Sequence, residues 1–201
     1  ATVPYAGFAP FAKKGAARHN PLTSSGSEVK QLARIFGGKP FMAAKATKAC
    51  LLQTAGKTNI LHLATHASEN PDHPQLTELS FRGKNNHPEK LHYFEIGQQE
   101  WSIPLVVLGA CGTASGTYLP GYGTASLSNI FQSAGVQSVI GANWSAGDEV
   151  SLKIISSFAE NMKQGSSTGI ALWEAKKEVL RQSDDLHSHP YYWAVYTHQG
   201  N

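Results

Sequence analysis

Cysteine and histidine are the side chains best suited to attack and protonate a carbonyl group near neutral pH. This sequence sets one of each at the end of an apolar run. In LVVLGACGTASG, residues 105–116, four apolar residues lead through glycine and alanine into Cys111, and in NILHLATH, residues 59–66, a similar run closes on His66. A thiol attacks only as thiolate, so Cys111 needs a base or a positive field beside it, and a histidine is the usual supplier. Neighbouring parallel strands lie about 4.8 Å apart, so if the two runs are adjacent strands, their ends bring imidazole and sulfur near one substrate. The glycine-rich stretch GTASGTYLPGYG that begins after the cysteine offers free backbone N–H groups to an oxyanion. The small residues Ala67 and Gly112 beside the two reactive groups let a substrate backbone approach closely.

Residue types alone leave plainer readings open. A lone cysteine after an apolar strand is more often a packed thiol, and a histidine at a strand end is more often a surface or hydrogen-bonded residue. Cys50, among the apolar residues of ATKACLL, reads as core. His62 and His66 have H-x-x-x-H spacing, but on a strand such side chains stand about 13 Å apart, and no C-x-x-C accompanies them, so a metal site is not expected. In SDDLHSHPYYW, His187 and His189 read as loop residues ahead of Pro190, not as ligands. Asp184, Asp185, Lys13 and Lys14 read as solvated charges.

The elements that must position the two strand ends follow from periodicity. VPYAGFAPF and KPFMA are short strands flanking SGSEVKQLARIF, a helix with Val29, Leu32, Ile35 and Phe36 on one face, Ser25 and Ser27 available as caps, and Gly37–Gly38 as its stop. ATKACLLQTAG is a helix with Thr47 as cap, and NILHLAT is a strand. Residues 67–101 break into prolines, asparagines and weak alternation (LTELSF, KLHYFEI), the pattern of a hairpin-bearing insertion. PLVVLGA and QSVIGAN suit strands buried on both faces. Between them lies a helix with Leu127, Ile130, Phe131 and Ala134 in phase, and after them come helices over DEVSLKIISSFAENMKQG and STGIALWEAKKEVLRQ and a last strand, YYWAVYTH. Alternating strands and helices predict an α/β fold whose mainly parallel sheet is covered on both faces, with its site beyond the carboxyl ends of the strands. His66 and Cys111 both fall there.

A length of 201 residues fits one domain spanning 1–201, and the abrupt strand-like start is compatible with a fragment of a larger chain. A net charge of +3 without any basic run argues against nucleic acid as a direct partner. The apolar runs fall far short of the roughly 20 residues a membrane span needs, and the first residues lack a signal pattern. Two cysteines without an export signal are expected to be free thiols, with the cytoplasm as default compartment.

Four segments in order, ILHLATHA, LVVLGACGTASG, AGVQSVIGANWSAGDEVS and HPYYWAVYTHQGN, resemble the CHAT domain, a caspase-like family often attached to tetratricopeptide repeats. The resemblance implies a caspase-hemoglobinase fold, a three-layer sandwich about a sheet of about six strands. It also implies peptide-bond hydrolysis without metal or organic cofactor. Cys111 would be the nucleophile, His66 would protonate the departing amine, and backbone N–H groups of Ala67, Cys111 and Gly112 would hold the oxyanion. Three positions depart from the family pattern: Ala67 stands where glycine is common, and Gly112 and Tyr122 where glutamate is common. NWSAGDE further looks like separase, a related protease in which an aspartate four residues after a tryptophan holds the arginine before the cut bond. Asp148 occupies that place after Trp144, as the base of a pocket for Arg or Lys; its alternative role is to cap a helix starting at Glu149 or Val150. Trp144 either walls the pocket or packs in the core. The implied partners are a protein or peptide substrate and a regulatory repeat domain or partner protein, in bacterial defence or cell-death signalling. A homodimer through the sheet edge near YYWAVYTH is compatible with an apolar edge strand. The rival function is a non-catalytic caspase-like interaction module. A nucleotide-binding domain is disfavoured because GTASG and GYG do not form G-x-G-x-x-G between strand and helix.

Overall fold

The structure, a computed structural model, describes residues 3–12, 21–70, 72–83, 87–110, 113–119, 123–145 and 148–200. Its centre is a six-stranded sheet in the order β11-β10-β7-β3-β1-β2, built from β1 (Val3–Ala9), β2 (Lys39–Met42), β3 (Thr58–Leu63), β7 (Leu105–Leu108), β10 (Ser138–Ala142) and β11 (Tyr196–Gly200). All neighbours run parallel except β11, which is antiparallel to β10 and forms one edge.

The central strands β7 and β10, and most of β1 and β3, read as apolar runs because they bury both faces. Leu61 and Leu63 of β3, Val106 and Leu108 of β7, and Val139 of β10 face one way. There they meet Leu51 of α2 (Lys48–Ala55), Ile96 of α3 (Tyr93–Gly97), and Leu127 and Phe131 of α4 (Leu127–Ser133). Leu105, Val107 and Ile140 alternate to the opposite face. They pack on Leu32 and Ile35 of α1 (Ser25–Phe36), Ile154, Ile155 and Phe158 of α5 (Asp148–Lys163), and Leu172 and Ala175 of α6 (Thr168–Arg181). Each such side chain contributes about 1.5–3 kcal/mol on burial, so the period-2 alternation on strands and the 3.6-residue period on helices together define three layers.

Local chemistry accounts for the helix ends. Thr47 caps α2, its hydroxyl accepting from Cys50 N at 3.1 Å, and Ser126 does the same for α4 at 3.2 Å to Asn129 N. α1 ends at Gly37, whose φ of 73° is left-handed and whose N–H reaches Ala33 O at 3.0 Å. Ser25 and Ser27 do not cap α1. They lie inside its first turn, donating to the carbonyls of Leu22 and Ser24, because the helix starts at Ser25 itself, with Ser24 in the cap position.

Residues 67–101 do carry the expected antiparallel pairing, as a three-stranded sheet of β4 (Ala67–Ser68), β5 (Glu78–Arg82) and β6 (Pro88–His92). KLHYFEI is not one strand: it divides at His92 into β6 and α3, where Glu95 closes a capping box on the His92 backbone N–H at 3.0 Å. A second hairpin, β8 (Thr117–Leu119) with β9 (Gly123–Ala125), forms inside the glycine-rich stretch. The terminal YYWAVYTH also divides. Pro190 opens a short helix, α7 (Pro190–Trp193), capped by His189 Nδ1 at 3.2 Å from Tyr191 N, and only from Tyr196 does the chain enter β11.

Candidate active site

The two strands that lead to His66 and Cys111 are neighbours. In the parallel β3–β7 pair, Leu63 and Leu108 are register partners, and His66 and Cys111 each follow by three residues. A backbone bond from Gly109 N to Leu63 O, 3.0 Å, extends the pairing past the last strand residue, and Ala64 N reaches Phe8 O of β1 at 2.9 Å.

His66 is partly buried and held by the small antiparallel sheet. Its carbonyl accepts from Ser80 N of β5 at 2.9 Å, the preceding Thr65 hydroxyl donates to Ser80 O, and the following Ala67 pairs with Leu79. The Phe11 ring lies against the imidazole, centroids 5.0 Å apart and planes tilted by 51°. The small sheet therefore orients the histidine segment, a role that alternation in residues 67–101 does not reveal.

Cys111 and Gly112, with Tyr122, Lys13 and Lys14, lie outside the described residues. Their described neighbour Thr113 is fully buried and hydrogen-bonded on every side. Its hydroxyl donates to Ala110 O at 3.1 Å and accepts from Ala142 N at 3.0 Å, while its carbonyl accepts from Ser128 N and Oγ, both at 3.0 Å. Thr113 thus ties the cysteine segment to β10 and α4. Nothing in GTASG distinguishes this threonine from a solvent-facing one.

Asp148 is the first residue of α5, so the helix begins at it rather than at Glu149 or Val150; its side chain is outside what the structure describes. Trp144 both packs and lines a cleft: its indole N–H donates to Tyr191 O at 2.8 Å and its ring stacks on Tyr191. That cleft, about 90 Å³, opens at the carboxyl ends of β3, β7 and β10, between Ala64, Gly109, Ala110, Ala142 and Trp144. Glu28 of α1 lines it as well.

Glu28 is buried, and its Oε1 lies 3.0 Å from Nε2 of the fully buried His62, whose Nδ1 is 2.8 Å from the Tyr5 hydroxyl. Burial and then the Glu28 charge push the Tyr5 hydroxyl well above its ordinary range, so it stays a proton donor. The Tyr5 hydroxyl and the Glu28 carboxylate thus lie at opposite ring nitrogens of His62. Sequence reasoning passed over Glu28. A signal existed: with Ser25, Val29, Leu32 and Ile35 it lies on the buried face of α1.

The remaining candidates fall away from the strand ends. Asp184 is an exposed charge, as its sequence context suggests, with His187 paired to it at 2.7 Å; the backbone and side-chain hydrogen bonds from His187 hold its carboxyl below the usual range. Cys50 is a partly buried free thiol packed on the α2 side of the sheet. Among the described residues no group of three His, Cys, Asp or Glu could hold a metal ion, and no helix is long and apolar enough to cross a membrane.

A six-stranded, mostly parallel sheet between helical layers is a caspase-like fold, and the candidate site lies beyond the ends of two of its central strands. Solved structures share this fold. Gingipain R (RgpB), described as an Arg-specific cysteine proteinase, superposes with a TM-score of 0.62 at 10% identity, over 98% of this chain and 46% of that one. The Saccharomyces cerevisiae separase–securin complex gives a TM-score of 0.64 at 13% identity, over 99% of this chain and 12% of that one. Porphyromonas gingivalis RgpB, in a complex of its pro- and mature domains, gives 0.63 at 9% identity, over 99% of this chain and 47% of that one. The chain thus spans less than half the length of these relatives, and at such identities the likeness is one of fold. No protein of curated function matches it by sequence. The CHAT domain model matches residues 8–201, and the chain belongs to the CHAT domain family.

Proposed function

We propose that the chain is a cysteine endopeptidase that makes limited cuts in a protein substrate, with Cys111 as nucleophile and His66 as its acid–base partner. The register partnership of Leu63 and Leu108 carries the reading: two adjacent parallel strands leave the sheet at one level, and each runs three residues further to a reactive side chain. Gingipain's printed description as a cysteine proteinase supports it.

In this mechanism His66 takes the Cys111 thiol proton as the sulfur forms a bond to the scissile carbonyl carbon, and the oxygen that gains the electron pair is held by backbone N–H groups of Ala67, Cys111 and Gly112. The intermediate collapses as the C–N bond breaks and His66 gives its proton to the departing amine, leaving a thioester. Water, deprotonated by His66, then releases the acid and restores the thiol. Asp148 at the start of α5 and Trp144, four residues before it in the sequence, favour Arg or Lys before the cut bond, as the Arg specificity printed for gingipain also suggests. Securin with separase, and a pro-domain with RgpB, suggest control by a partner or attached domain. A setting in bacterial, cytoplasmic defence or cell death comes with the family resemblance.

Cleavage of a complex peptide library under reducing, metal-free conditions tests this reading. Wild-type chain should cut, Cys111→Ala should not, and His66→Ala should cut roughly 10²- to 10⁴-fold more slowly. Asp148→Ala should weaken the preference for Arg and Lys. Equal cutting by wild type and Cys111→Ala would sink the dyad. Silence in both, with Cys111 alkylated no faster than Cys50, would favour the non-catalytic interaction module.

A further inference from the structure

The cleft at the ends of β3, β7 and β10 has an acidic floor that the proposed chemistry does not use. Glu28 brings a carboxylate whose side chain is only 10% exposed, and among the described residues lining the cleft none carries a positive charge. Among the described residues its ion-pair partner is His62, Nε2 3.0 Å away, yet neither Glu28 Oε1 nor His62 Nε2 makes a well-directed hydrogen bond. A buried carboxylate with so little compensation is costly to fold around. The cost is recovered when a cation with directed N–H groups enters.

The shape of the cleft agrees. A Cβ on Gly109 would stand 3.5 Å from Glu28 Oε1 and 3.3 Å from His62 Nε2, so the glycine keeps side-chain atoms away from the carboxylate. Ala64 and Ala142 keep the neighbouring walls shallow, and Trp144 supplies an aromatic wall of the kind a guanidinium stacks on. Ala64 lies two residues before His66 and Ala110 immediately precedes Cys111, so a group seated here belongs to a substrate residue next to the reacting bond.

We propose that Glu28 is a specificity-determining residue of this cleft, receiving a cationic side chain, arginine in preference to lysine, from the residue that precedes the cut bond. Arginine is favoured because its planar fork can offer two N–H groups to one carboxylate, whereas an ammonium acts as a point charge. The assignment deepens the peptidase reading and rests on it for the identity of the ligand, but ligand binding tests it without any cleavage.

The probe is N-acetyl-arginine amide against its neutral isostere N-acetyl-citrulline amide, titrated into the Cys111→Ala chain and followed by the NMR signal of the Trp144 indole N–H. The arginine compound should bind roughly 10- to 100-fold more tightly than citrulline, the range of a charge-assisted pair. Glu28→Gln, nearly isosteric, should shrink that difference severalfold, leaving what Asp148 supplies, with citrulline binding unchanged. Glu28→Asp keeps the charge on a shorter stem and should retain a reduced preference, which serves if the glutamine variant does not fold. Equal binding of the two compounds to the parent chain, an arginine preference undiminished by Glu28→Gln, or a fall in melting temperature as the only effect would each overturn the assignment. Glu28-dependent arginine binding in a chain that cleaves nothing would leave it standing and remove only the peptidase reading.

Discussion

Thr113 shows how much a single hydroxyl can organise next to a reactive group. One oxygen both donates to Ala110 O and accepts from Ala142 N, joining the segment that flanks Cys111 to the next strand. Thr113→Val keeps the shape but leaves the buried Ala142 N–H without its acceptor, a loss of about 1–3 kcal/mol. Thermal unfolding should register that loss, cleavage should fall with it, and Thr113→Ser should restore most of both. A stable, fully active Thr113→Val chain would show that the hydroxyl is dispensable. His66 and Cys111 were legible as candidates because reactive types at the ends of apolar runs stand out. Thr113 and Glu28 were not, since their partners, Ala142 and His62, lie 29 and 34 residues away along the chain.

Register and close packing decide the geometry at the scale of elements. Gly141 of β10 lies under α4: a Cβ there would sit 2.3 Å from Ser128 Oγ and 3.0 Å from Ala114 Cβ. Gly141→Ala should therefore destabilise the chain by about 1–3 kcal/mol through overpacking, read from chemical denaturation. Adding Ser128→Ala, which removes the closest atom, should recover part of the loss; a double variant worse than the sum of the two would contradict this packing. Periodicity placed α1, α2, α4, α5 and α6 and the buried strands correctly, because long apolar faces dominate local preference. It failed on KLHYFEI and YYWAVYTH, where aromatic strand formers are overruled by a cap: the Glu95 box at His92, and His189 with Pro190 ahead of α7.

Across the whole molecule, stability should depend on pH through the edge strand. His198 of β11, opposite Ile140 of β10 and 3.3 Å from Ser138 Oγ, is pushed below its ordinary value of 6.5 by burial. The unfolded chain therefore takes up a proton more readily than the folded one, so stability holds above pH 6.5 and declines as pH falls from there through the lower folded value. His198→Gln should flatten this part of a melting-temperature profile against pH. An unchanged slope would assign the acid sensitivity to other histidines.

The sequence by itself determined the α/β class, the two-faced burial of the central strands and the pair of strand-end candidates, because those features are written in local periodicity and in residue type. Tertiary structure alone decided that β3 and β7 are neighbours with Leu63 opposite Leu108, that the small sheet holds the His66 segment, and that Tyr5, His62 and Glu28 meet beneath the cleft. These depend on strand order and register, where a shift of one residue reverses every side chain. No local pattern in the chain encodes that choice.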